Sequence, residues 1–255
     1  MVPISLDPPQ QARFRRILEP LFSPRALTHL LPTVRSLAVQ LIDDFIDRGE
    51  CDLIWDFAIP FPAGVFLALF GLPSEDRDRL LVWKDAITNL FAPQDSFEPP
   101  EEVLKSAAEM YEYLQWQIVQ RSLHDGGCDL LRQLLADTSE ERLSTEELLG
   151  MSLMFILAGL QPVTSSLSTQ FAQLAAKVEL RQQIVQDPAL IPGAVEELLR
   201  FEPPAPFLLR LATQETELGG YTIPDGARVH IAVGAANRDP AVYVDPDSID
   251  FKRRQ

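Results

Sequence analysis

One run constrains this chain more than any other feature. Residues 143–180 read LSTEELLGMSLMFILAGLQPVTSSLSTQFAQLAAKVEL, the longest apolar-patterned stretch present. It opens on a capping box, Ser144 with Glu147, in which each side chain satisfies the other residue's backbone N–H. A helix over 145–178 would be roughly 50 Å long at 1.5 Å per residue. A helix of that length must serve as the axis of a helical body. The pattern nevertheless contains Gly159 and Pro162. An interior proline costs a helix roughly 3 kcal/mol and a glycine up to about 1 more. Pro162 has no N–H for the carbonyl of Ala158 and its ring presses on that group, so the sequence predicts a kink there. Gly159 removes a side chain on the same turn, so a small ligand could approach the backbone. Either a core-wrapping bend or a ligand groove fits these residues.

Proline and glycine punctuate the rest. A helix is expected over Gln10–Leu21, and another from Ser23 as N-cap and Pro24 at N1, running to a C′ residue at Gly49. A loop and a helix ending near Gly71 come next. A helix capped by Ser74 follows, then one over 101–122 closed by HDGG, and one through PALIPGAVEELLRF. After EPPAP the texture turns strand-like. Pro224-Asp225-Gly226 signals a turn, read as a hairpin, and Val229, Ile231 and Val233 alternate with polar residues as in a half-buried strand. The expected fold is mainly α with a small β element. It is a single domain over 1–255, with a helical body over about 10–202 and the β element over about 207–235.

Lys plus Arg is 22 and Asp plus Glu is 37, a net charge of −15, which argues against broad nucleic-acid binding. Cys51 and Cys128 lie far apart without zinc-type spacing and read as free thiols of a reducing cytoplasm. The N-terminus has no apolar segment of a secretory signal, and the run 148–160 is too short to span a bilayer. No GxSxG, GxGxxG, P-loop or HExxH occurs, and His29, His124 and His230 fall in separate elements. Arg13, Arg15, Arg16 and Arg25 concentrate positive charge near the start, as a solvated face or an anion-recognition surface. Glu197 and Arg200, three apart on a helix, read by pattern alone as a surface pair.

Taken in order, DPPQQARFRRILEPLFSPRAL, AGLQPVTSSLS, EELLR and RLATQETELGGYTIPDGARVHIAVGAANRDPAVYVDPDSIDF resemble the bacterial, soluble class of cytochrome P450 across nearly the whole chain. The resemblance implies that the long helix crosses the distal face of a haem b. Ala158 and Gly159 match the small-residue pair against which dioxygen sits. Gln161 and Pro162 stand where the family has an acid and a threonine, with Thr164 displaced by two positions, which implies leakier dioxygen activation. Arg15 and Arg210 match arginines holding haem propionates, and Gln11 replaces a histidine with the same task. Glu197 and Arg200 match a buried structural Glu-x-x-Arg pair. The implied activity is insertion of one oxygen atom of O2 into a lipophilic small molecule. Electrons come from NAD(P)H through a reductase and a ferredoxin-type donor. The family's N-terminal strands have no counterpart here. Nor does the loop bearing its axial cysteine, so no iron ligand is assigned and the piece is expected to be inactive alone. The competing reading is a degenerate, haem-free binding or scaffold protein.

Overall fold

The computed structural model describes residues 3–90, 100–123, 129–137, 139 and 141–253. It forms two compact units, Met1–Thr164 and Ser165–Gln255. Cys128, His124, the HDGG helix closure and most of the loop before residue 100 lie outside the described residues.

In the first unit, α1 (Gln10–Leu21) packs through Phe14 and Leu18, an i,i+4 pair that is buried. Ser23 caps α2 (Pro24–Leu27) by accepting the Ala26 N–H at 3.2 Å, as its position before Pro24 predicts. The single helix expected from there to Gly49 is interrupted. A 3-10 turn covers Thr28–Leu30, and α3 (Leu31–Ile46) restarts with Pro32 in its first turn. Proline at that position forfeits no helical bond, so the restart is cheap. The helix stops at Ile46 with Asp47 as its C-cap, so Gly49, at φ +71°, lies beyond the expected C′ position. A π-helical turn, Ile54–Ala58, leads into α4 (Pro60–Phe70), which Gly71 closes in the left-handed conformation.

Ser74 is not a cap. It lies inside a 3-10 turn, Ser74–Asp76, and accepts no helical N–H; α5 (Arg77–Leu90) follows. With α6 (Glu101–Leu123) and α7 (Leu130–Leu135), these helices bury Phe70, Leu67, Trp83, Met110, Leu114, Ile118 and Leu131 in one core. Leu148, Met151, Ile156 and Leu160 of α8 (Thr145–Ala176) join the same core.

Helix α8 is helical without interruption through Pro162, and the boundary between the units falls within it. By length and composition it could cross a bilayer, with a mean hydropathy of 1.5. The burial of its first half in the core of the first unit supplies another reason for that composition.

The second unit continues with α9 (Val178–Gln186) and α10 (Ile191–Phe201), which bury Leu180, Ala194, Leu198 and Phe251 together. The β element consists of two separate two-stranded ladders. Strands β2 (Thr216–Leu218) and β3 (Tyr221–Ile223) form a hairpin through Gly219 and Gly220, both at positive φ, as a two-residue type I′ turn requires. Strand β1 (Phe207–Leu211) pairs antiparallel with β4 (Arg228–Ala232), Phe207 opposite Ala232 and Leu211 opposite Arg228. The turn at Pro224–Gly226 therefore carries the chain from one ladder to the other and is not a hairpin between adjacent strands. Val229 is half-buried, Ile231 is exposed, and Val233 begins α11 (Val233–Ala236). The expected alternation thus ends at Ala232.

Candidate functional site

The capping box at the start of α8 forms as its spacing predicts. Ser144 N donates to Glu147 Oε2 at 2.8 Å, and Glu147 N donates to Ser144 Oγ at 3.1 Å. The helix next buries Leu148, Leu149, Met151, Met154 and Ile156 and then changes character. Ala158, Gly159 and Gln161 are all exposed, with buried Leu160 between them. A Cβ built on Gly159 would meet nothing within 4 Å. The absent side chain therefore answers no packing demand within the described residues. Thr164 is half-buried and lies on the next turn. Within the first unit, Gly159 also borders a nearly wholly apolar groove of about 240 Å³, walled by Phe22, Phe66, Phe70 and Phe155.

The sequence-predicted carboxylate holders are accessible. Arg15 projects into solvent from α1 and, among the described residues, pairs with Glu19, at 2.7 Å. An exposed i,i+4 pair is worth a few tenths of a kcal/mol, so Arg15 can exchange this partner for another carboxylate. Gln11 lies on the same side of α1, four residues earlier, and is half-buried. Arg210, on β1 of the second unit, is exposed and, among the described residues, donates to the adjacent Leu209 carbonyl at 2.9 Å. Two of the other N-terminal cations are engaged. Arg13 bonds Glu147, and Arg16 bonds Glu141 at 2.6 Å. These bonds weaken the case for a free basic surface there.

Glu197 and Arg200 are not the surface pair that their spacing alone suggests. Glu197 is 1% exposed and Arg200 5%. The guanidinium gives Nε to Glu197 Oε2 and Nη2 to Oε1, both at 2.8 Å. Its remaining N–H groups reach the carbonyls of Asn237, Pro246 and Ser248 at 2.8–2.9 Å. A third member joins from far along the chain. Arg253 Nε lies 3.0 and 3.1 Å from the two Glu197 oxygens, and its other nitrogens bond the carbonyls of Val244, Asp245 and Ser248. The Asp250 N–H also donates to Glu197 Oε1 at 3.0 Å.

Burial pushes the Glu197 carboxyl upward. The bonds from Arg200, the Asp250 N–H and Arg253 outweigh it and hold the group below its ordinary range. Residues 240–253 form no helix or strand, and these three charged side chains supply the order that a backbone ladder would provide elsewhere. Gly193 fits the same design: a Cβ there would fall 2.5 Å from the Phe251 carbonyl oxygen, so α10 and this loop approach as only glycine permits. Sequence reading missed Arg253, because nothing local in DFKRRQ marks one of its basic residues as a partner of Glu197.

A mainly helical body, an exposed Ala-Gly step on its longest helix and a loop locked to a buried Glu-x-x-Arg helix define the fold class of the bacterial haem monooxygenases. The family model described as cytochrome P450 matches residues 100–253. The chain belongs to the cytochrome P450 family. It is 34% identical over 254 residues to mycinamicin IV hydroxylase/epoxidase of Micromonospora griseorubida, covering 98% of this chain and 62% of that protein. It is 32% identical over 249 residues to 6-deoxyerythronolide B hydroxylase of Saccharopolyspora erythraea, covering 97% and 60%. Among solved structures it resembles CalO2, with a TM-score of 0.92 at 29% identity over 98% of this chain and 62% of that one. A myxobacterial cytochrome P450 in complex with myristic acid gives a TM-score of 0.87 at 36% identity, covering 97% and 61%. The chain thus spans about three fifths of the length of these relatives.

The family implies a haem. Taken singly, the exposed guanidinium groups of Arg15 and Arg210 have the chemistry to bond a carboxylate, and Gly159 leaves open space beside its own helix. Cys51 is exposed with a free thiol, in the segment before the π-helical turn.

Proposed function

We propose that the chain forms the distal and carboxylate-binding part of a cytochrome P450 monooxygenase acting on a lipophilic small molecule. The observation carrying this reading is the exposed Ala158-Gly159 step, with open space at Gly159, in a chain that matches P450 hydroxylases along 97–98% of its length. Relatives are named as hydroxylases of mycinamicin IV, 6-deoxyerythronolide B and vitamin D(3), which supports a lipophilic small-molecule substrate. Electrons would come from NAD(P)H through a reductase and a ferredoxin-type donor. The reducing cytoplasm is the proposed compartment.

Bound haem supplies the dioxygen chemistry. The chain's own residues bind and orient it. Arg15 and Arg210 can each give two parallel charge-assisted hydrogen bonds to a carboxylate, while Gln11 can give a neutral one. Gly159 leaves room beside the backbone. Gln161 cannot pass on a proton as a carboxylate does, and Pro162 brings no hydroxyl. Proton delivery therefore falls to Thr164 and water.

Three measurements test this reading. The 255-residue chain titrated with ferric haem should bind it, and Arg15→Ala should weaken binding by about tenfold, the loss of one charge-assisted pair. After reduction and addition of carbon monoxide, its Soret band should lack thiolate character, because neither Cys51 nor Cys128 falls in a stretch that resembles the family's cysteine-bearing loop. Affinity indifferent to Arg15 would overturn the assigned carboxylate contact. In the enzyme turning over, Pro162→Thr should restore a hydroxyl at the bend and raise product formed per NAD(P)H consumed. Unchanged coupling would remove Pro162 from proton delivery.

A further inference from the structure

Arg13 makes the most heavily bonded long-range contact in the first unit. Its Nε donates to the Glu141 carbonyl at 2.9 Å. Nη1 donates to Glu147 Oε1 at 2.6 Å, and Nη2 donates to the Arg142 carbonyl at 2.6 Å and to Glu147 Oε2 at 3.1 Å. Glu147 is the carboxylate that also closes the capping box on Ser144. One acid thus starts α8 and holds α1, across more than 130 residues of sequence. The pair is about a quarter exposed on each side, at 27% and 29%. It is less screened than the neighbouring Arg16–Glu141 pair, whose side chains are 58% and 51% exposed. The Glu147 carboxyl is held below its ordinary range, first by the Arg13 bond.

Helix phase gives this contact its functional meaning. Residues two apart on a helix point roughly 200° apart, and residues four apart roughly 40°. Gln11 and Arg15 therefore share one side of α1, and Arg13 lies on the other. Phe14 and Leu18 anchor the helix to the core, but apolar contacts are non-directional and leave its rotation loosely set. A guanidinium fork fixed on one carboxylate and two carbonyls sets that rotation.

We propose that Arg13, with Glu147 as its counter-charge, is a positioning residue. It fixes the rotation of α1 and thereby presents Gln11 and Arg15 to the haem carboxylate. The presentation of haem rests on the reading above; the clamp itself does not. A lysine would keep the charge but could not reach three acceptors at once, because an ammonium on a flexible stem lacks the planar fork.

The test compares wild type, Arg13→Lys, Arg13→Gln and Glu147→Gln as 255-residue chains, by hydrogen exchange and by ferric haem titration. Arg13→Lys and Arg13→Gln should both speed exchange of the amides in Gln10–Leu21 by about tenfold while α4 and α6 keep their protection. Haem affinity should fall in step with Arg15 left intact. Wild-type protection of α1 in Arg13→Lys would show that charge alone suffices and would overturn the clamp. A uniform rise across α1, α4 and α6 would also overturn it, as the mark of a merely structural residue. If Arg13→Gln does not fold, Glu147→Gln decides, since it keeps both carbonyl bonds. Failure of wild type to bind haem would defeat the haem reading, while the exchange comparison would still judge the clamp.

Discussion

Glu197→Gln should destabilise the second unit by about 3–5 kcal/mol, the range for removing one partner of a buried ion pair. The substitution is nearly isosteric, so no cavity forms and the loss is electrostatic. Arg200 and Arg253 would remain beside one another without the buried carboxylate that offsets their two positive charges. The first segment to yield should be 237–253, which has no ladder of its own after α11. Limited proteolysis and hydrogen exchange of that segment are the right probes, because Trp55, Trp83 and Trp116 all lie in the first unit. Cleavage there at the wild-type rate would contradict the organising role. Acid should imitate the variant. A carboxyl held below its ordinary value in the folded state contributes stability that is present above about pH 4.5 and is lost as pH falls through the lowered value. Wild type should therefore open this loop only in strong acid, whereas Glu197→Gln should be open at neutral pH with little further change on acidification.

Particular residues show how far the sequence could be read. The capping box, the Ser23–Pro24 start and the Gly71 stop are local devices, each complete within four residues, and all three form as read. The long helix was legible because its pattern persists for more than thirty residues. Element boundaries failed where two signals competed. Pro32 and the 3-10 turn split a helix whose apolar spacing looked continuous, and Ser74 lost its capping role to a tighter turn.

Strand pairing failed for another reason. The partner of β4 lies some twenty residues upstream, beyond a hairpin, and no turn signal records that choice. The Glu197–Arg200 pair was misread by spacing alone, because an i,i+3 pair looks the same in water and in a core. Only the family resemblance placed it inside. Arg253 and the Arg13 clamp were illegible for the same physical reason: each depends on a partner more than fifty residues away.

Gly159→Ala should shift stability and function in opposite directions. Alanine exceeds glycine by up to about 1 kcal/mol in a helix interior, and the added methyl meets nothing within 4 Å, so the 255-residue chain should melt at a higher temperature. A residue that costs stability and fills no packing role is a candidate for retention by function. On the proposed reading, the methyl would occupy the space beside the backbone where the small ligand must sit. Displacing a reacting group by about 1 Å can cost roughly a hundredfold in rate. Turnover of the haem-loaded enzyme should fall on that scale, and haem affinity, which the proposed reading assigns to Arg15 and Arg210, should hold. A higher melting temperature with unchanged turnover would leave the helix assignment standing and remove the oxygen-side role from this face. A lower melting temperature would mean that Gly159 relieves a backbone strain which an uninterrupted α8 does not contain.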